Sequence, residues 1–206
     1  MQPDPNTQNR QAYDRIVHSY AQRNIEMVPY VEKAAEQMLN AVQSTAEIPQ
    51  RLLDVGCGTG RDMHWFETRG MKMLGADLSS GMLHETQQKV QGGLVQADMT
   101  TLPYRSAWFG GVWCQAALLH LPKAKVPQAL AEMRRVLAPA GYLYVAVQLG
   151  NSEGFETRPY EPVVRYYAHY QKEELHTFIR EAGLTIVQTG EGVERRQWIW
   201  ALSKKR

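Results

Sequence analysis

Cysteine is scarce: the 206 residues hold two, Cys57 and Cys114. Their separation fits neither a metal site nor a redox pair, which excludes a disulfide scaffold and reads as reduced thiols. Long apolar runs are missing as well. The best are Ala116–Leu119 and Tyr142–Val147, far too short to cross a bilayer. The first residues, Met1–Arg10, are polar, carry Pro3 and Pro5, and have no apolar signal core. No membrane partner and no metal are expected, and the cytoplasm is the expected location. Charge of one sign is also lacking. Lys+Arg 23 against Asp+Glu 21 leaves a formal +2, which argues against nucleic acid as partner. Basic pairs such as Arg134-Arg135 and Arg195-Arg196 read as solvated faces. No repeat, low-complexity block or linker divides the chain, so one domain over 1–206 is expected, as a monomer or homodimer. Hydrophobic residues at 44% and charged residues at 21% are those of an ordinary folded domain with a sizeable core.

What is there begins with helix. Residues 8–43 carry the stripe Tyr13, Ile16, Val17, Tyr20 and then Val31, Ala34, Ala35, Met38, Leu39, before the Ile48-Pro49 break. From Arg51 onward short apolar runs alternate with amphipathic stretches. Strands are predicted at 52–55, 71–76, 94–97, 110–114 and 142–148, and helices at 61–69, 79–90 and 123–137. A helix over 172–182 should stop at Gly183, and a strand pair at 185–188 and 197–202 should close the chain. Strands alternating with helices imply an α/β fold with right-handed crossovers and a doubly wound, mostly parallel sheet. Ligands of such sheets bind outside the carboxyl ends of the strands.

Chemistry does stand at those ends. Leu52-Leu53-Asp54-Val55-Gly56-Cys57-Gly58-Thr59-Gly60 is an apolar strand entering alternating glycines and then a helix. Such a turn lets backbone approach a ligand closely. A dinucleotide fingerprint would need glycine at 61, which is Arg61, and a phosphate P-loop would need a following Lys-Ser/Thr pair. Asp77 closes the next strand, at the separation where a carboxylate meets a ribose diol. The third strand ends Ala97-Asp98-Met99, an acid for an exocyclic adenine amine beside a thioether for the ring.

These residues resemble the class I S-adenosylmethionine-dependent methyltransferases, of the small-molecule-type group. Asp54–Gly60 is similar to the family's first motif, Asp77 to its ribose acid, Asp98-Met99 to its adenine-side pair, Phe109–Gln115 to its fourth strand, and Arg135–Gly141 to its fifth-strand corner. The resemblance spans about Tyr13–Leu202. It implies a Rossmann-like sheet of seven strands, mostly parallel with the last antiparallel, and helices on both faces. It also implies a methyl transfer from S-adenosylmethionine to a small molecule, releasing S-adenosylhomocysteine. The cofactor residues so implied are Tyr13, Tyr20, Asp54, Gly56, Cys57, Gly58, Gly60, Asp77, Leu78, Met82, Asp98, Met99, Gln115 and Ala116. Segments 1–49, 50–149, 150–170 and 171–206 then become N-terminal helices over the cofactor, cofactor core, substrate lid, and C-terminal helix with strand pair. The family's corner is usually Pro-Gly-Gly. Here Ala140 stands in the middle, so a type I turn or a strained Ala140 is expected.

Several residues keep two readings. Tyr13 and Tyr20 are spaced for core packing or for lying over a sulfonium. Cys114 reads as a small buried residue. His120 is either a packed histidine or the catalytic, substrate-contacting base of the transfer. The Gly- and Pro-punctuated segment 150–169 reads as a substrate lid loop, with Arg158, Tyr160, Arg165 and Tyr166 as substrate residues and both arginines able to pair with an acidic group. Tyrosines packing on the last helix are the alternative. Val163–Tyr170 also looks like the late segment of tRNA wobble-uridine methyltransferases. A cofactor-binding regulator without chemistry is the third reading.

Overall fold

The computed structural model describes residues 3–158 and 161–206; Tyr160, expected as a substrate residue, lies outside them. Helix α1 (Pro5–Arg23) starts where the Asp4 carboxylate accepts from the Thr7 N–H and proline occupies the first turn. Residues 8–43 do not form one helix. α1 ends at Arg23, and α2 (Pro29–Gln43) restarts with proline in its own first turn, a residue that cannot continue a preceding helix. α2 buries Val31, Ala34, Ala35, Met38, Leu39 and Val42 along one face.

Then β1 (Arg51–Val55), α3 (Arg61–Glu67), β2 (Lys72–Asp77), α4 (Ser80–Gln87), β3 (Gly93–Gln96), β4 (Phe109–Gln115), α5 (Val126–Val136) and β5 (Leu137–Gln148) alternate. They are followed by β6 (Glu153–Arg158), β7 (Glu161–Ala168), α6 (Lys172–Glu181), β8 (Leu184–Glu194) and β9 (Arg196–Lys205). The main sheet has seven strands in the order β3-β2-β1-β4-β5-β9-β8. Neighbours from β3 to β5 are parallel, and β9 runs antiparallel to both β5 and β8. This is the doubly wound Rossmann-like sheet that the alternation implied. Strand order reverses between β1 and β4, so the crevice opens above their carboxyl ends. One core lies between the sheet and α5 with α6; the other holds α2 and α3, where Trp113 stacks on Tyr144 at 3.8 Å.

Two expectations need correction. Segment 150–169 is not a loop: β6 and β7 pair as an antiparallel hairpin, Glu153 opposite Ala168 and Thr157 opposite Val164. Its glycine and proline mask a run of β-formers, Val163-Val164 and Tyr166-Tyr167. The closing strand pair is also longer than expected. β8 and β9 stay paired, across a register shift between Ile186 and Gln188, out to Glu194 opposite Arg196, turning on Arg195 with φ 51. At the fifth-strand corner, Ala140 adopts φ 62, the strained alternative rather than a type I turn.

Candidate functional site

The glycine loop after β1 is held from below. Both Gly56 and Cys57 donate backbone N–H groups to the Ala76 carbonyl, at 2.7 and 3.2 Å. Gly56 and Gly58 have φ 77 and 55, open to residues without a Cβ. At Gly56 a Cβ would stand 2.2 Å from that of Ala117, while at Gly58 it would meet nothing within 4 Å. Bare backbone at Gly58 therefore faces an open cavity. Gly60 plays a different part: it starts α3, and a Cβ there would strike Thr86 on α4 at 2.7 Å.

That cavity is lined by Gly56, Gly58, Asp77, Leu78, Met82, Asp98, Met99, Gln115, Ala116, Tyr13, Tyr20 and His120. Asp77 accepts from the Gly58 N–H through one oxygen and from the Ser79 N–H through the other, each at 2.8 Å. Each oxygen keeps a further lone pair, as a vicinal diol requires. Burial pushes the Asp77 carboxyl upward, opposed by those two N–H groups. Asp98 accepts from both the backbone and hydroxyl of Thr100 at 2.8 Å, and from the Asn6 amide.

A pocket beside it, sharing Gly56, Gly58, Tyr20, Gln115 and Ala116, is lined by Asp54, Cys57, Arg61 and Asp62. Asp54 is almost fully buried. Burial, then the negative charges of Asp62 and Asp77, hold its carboxyl well above the usual range, so a cationic group brought there would favour its ionised form. Arg61 is paired with Asp62 at 2.6 Å. Cys57 and Cys114 are buried, and burial raises both thiols, Cys114 to about 12. Neither is a nucleophile at neutral pH.

Residues 53–145 match the family described as "Methyltransferase domain". That segment of the chain is similar to a methyltransferase domain. Among curated proteins it is 32% identical over 123 residues to the methyltransferase GfsG of Streptomyces halstedii, covering 56% of this chain and 43% of that one. It is 29% identical over 174 residues to the O-methyltransferase resE of Aspergillus sclerotiorum, covering 77% and 64%. The chain thus matches less than two thirds of the length of either relative. Its fold superposes with TM-score 0.73 on Burkholderia thailandensis 1,6-didemethyltoxoflavin-N1-methyltransferase, solved with that compound and S-adenosylhomocysteine bound. Identity is 20%, and the match covers 100% of this chain and 92% of that one.

His120 sits in a short 3₁₀ turn (Leu118–His120) after β4. Its Nδ1 lies 2.9 Å from the Tyr166 carbonyl, an acceptor only, which puts the ring proton on Nδ1. Nε2 therefore accepts from the Tyr13 hydroxyl at 2.7 Å. Burial, then Arg165, lowers the imidazole to about 3. His120 is a neutral ring with both nitrogens engaged. Tyr166, expected to face substrate, turns away: its hydroxyl donates to Glu153, its ring packs on Phe155, and it is not among the residues lining the cavities. Arg158 and Arg165 do line a second cavity, which shares Tyr13, Tyr20, Gln115, Ala116 and His120 with the first.

Sequence reasoning missed one face of α1. Asn6, Asn9 and Arg10 line the first cavity. Asn9 donates to the carbonyls of His120 and Tyr166 and accepts from the Tyr166 N–H. Asp14 accepts from the Ser79 hydroxyl and the Gly81 N–H at the start of α4. The one available signal was four polar residues recurring at helical spacing beside the Tyr13–Tyr20 stripe. Among the described residues no group of three or more His, Cys, Asp or Glu side chains could hold a metal, and no helix is long and apolar enough to cross a membrane.

Proposed function

We propose that the protein transfers a methyl group from S-adenosylmethionine to a small-molecule acceptor. The observation that carries this reading is the pair of adjoining cavities, one walled by carboxylates at successive strand ends, the other opening beside it past Tyr13 and His120. The chain's residues fit the nucleoside. Asp77 would hold the ribose diol, Asp98 the adenine amine and Met99 the ring, with bare backbone at Gly58 beside the sugar. Asp54 would face the ammonium group of the amino-acid tail and Arg61 its carboxylate. Bound there, the cofactor supplies a methyl group already activated on a sulfonium.

What remains for the protein is alignment and exclusion of water. Tyr13 and Tyr20, edge to face at 5.7 Å, present aromatic faces between the two cavities, where a sulfonium cation is favoured. The second cavity also argues against a cofactor-binding regulator without chemistry. A regulator has no use for acceptor space beside the methyl group.

Titration calorimetry with S-adenosylhomocysteine tests the reading. The expected outcome is saturable binding at micromolar concentration, and an Asp77→Ala variant weaker by roughly ten- to a hundredfold, since hydrogen bonds to a charged group are lost. An absence of binding by the intact protein overturns the proposal; unchanged affinity in the variant overturns the assignment of the ribose.

A further inference from the structure

The second cavity is unusually basic. Arg158, Arg165, Arg195 and Arg196 line it together with the Asp62-paired Arg61, and Glu194 is the one carboxylate among its described lining residues. Two of these arginines are interior groups, Arg158 being 7% and Arg165 2% exposed. Both approach the ring of Tyr167, Arg158 at 3.8 Å and Arg165 at 5.3 Å from its centroid. Arg158 donates one N–H to Gln148 at 2.8 Å, and its buried Nε–H has no hydrogen-bond partner among the described residues. Guanidinium groups crowded on one tyrosine repel each other, and a planar oxyanion between them relieves that repulsion. Arg195 and Arg196 stand exposed at the tip of the β8–β9 turn, over the cavity's mouth.

The wall shared with the first cavity offers no free base. His120 has Nδ1 committed to a carbonyl and Nε2 to the Tyr13 hydroxyl. A phenol, alcohol or ammonium acceptor would need a proton removed there. A carboxylate needs none.

We propose that the acceptor is a small acid with at least two anionic groups: a carboxylate that takes the methyl, and a second oxyanion, carboxylate or phosphate, anchored on Arg158 and Arg165. This rests on the methyl-transfer reading above. One carboxylate oxygen forms the new bond to the methyl carbon while the carbon–sulfur bond breaks and its electron pair stays on sulfur. The sulfonium becomes a neutral thioether, the carboxylate a methyl ester, and no proton moves. The anchored oxyanion is held by the arginines and stays unmethylated.

Calorimetry on the protein loaded with S-adenosylhomocysteine tests it, with citrate, glutarate and phosphoglycolate as probes and glutaramide as the neutral control. At least one diacid should bind saturably near 1 mM or tighter (about −4 kcal/mol), and glutaramide should not. Citrate or glutarate ahead of phosphoglycolate assigns the anchor to a carboxylate; the reverse order assigns it to a phosphate. Arg158→Gln should weaken binding at least about tenfold. Arg196→Gln, on the exposed turn, should weaken it a few fold with folding and S-adenosylhomocysteine affinity unchanged. With S-adenosylmethionine, turnover of the bound acid should yield a product that releases methanol in mild alkali, as an ester does and an ether or amine does not. Binding of S-adenosylhomocysteine without binding of any diacid overturns the acid acceptor and leaves the methyl-transfer reading standing. Equal binding of glutaramide, or by both variants, overturns it too.

Discussion

His120 shows how one residue type supports opposite roles. As a neutral ring it accepts from Tyr13 and donates to Tyr166, and protonation would remove the acceptor that holds the tyrosine. Its folded value near 3 lies below the ordinary imidazole's 6.5. Between those values the unfolded chain binds a proton that the native state refuses. The stabilisation is therefore complete above pH 6.5 and is lost as pH falls toward 3. Thermal melts at successive pH values should fall more steeply between pH 6.5 and 4 for the wild type than for a His120→Gln variant; parallel curves would contradict the buried neutral imidazole. The same geometry predicts that Tyr13→Phe, which keeps the ring and loses the hydroxyl, leaves the pH dependence of kcat without an inflection near 6.5. Such an inflection in the wild type, absent from Tyr13→Phe, would show that the pair works as a base after all.

At the scale of elements, what the sequence disclosed and what it hid have separate physical causes. Asp54, Asp77 and Asp98 were legible because each ends an apolar run, and strand ends of a doubly wound sheet are where ligands sit. Asn6, Asn9 and Asp14 were not. On a helix end, polar residues look solvated until the partner is known, and Asn6 reaches Asp98 across 92 positions. The β6–β7 hairpin was hidden by its own punctuation, since Gly154 and Pro162 read as loop while the β-formers that follow them pair with β6. Ala140 was legible as a departure but not in its outcome. Its left-handed φ lies at the end of β5 remote from the site. An Ala140→Gly variant should therefore gain up to about 1 kcal/mol, seen by calorimetry as a melting temperature a few degrees higher. A lower one would mean the alanine methyl contributes more packing than its backbone costs.

For the molecule as a whole, the two cavities share a wall, to which α1 contributes Tyr13 and Tyr20. The helix is tied to the third strand's end through Asn6 and Asp98, to the start of α4 through Asp14, and to β7 through Asn9. Tyr13 and Tyr20 face both spaces from it. On the proposed reading, a nucleoside held behind those tyrosines would leave only as the ties of α1 loosen, whereas an acceptor would pass Arg195 and Arg196. That arrangement predicts sequential traffic. The nucleoside would enter first and, once spent, leave last, after the methylated product. Product-inhibition kinetics should find S-adenosylhomocysteine competitive with S-adenosylmethionine and the methylated product not competitive with it. A random pattern would mean that the helix opens as readily with the acceptor bound as without it. On that prediction, a tie of three short polar side chains would also be a clock: the rate at which α1 lets go would set the ceiling on turnover.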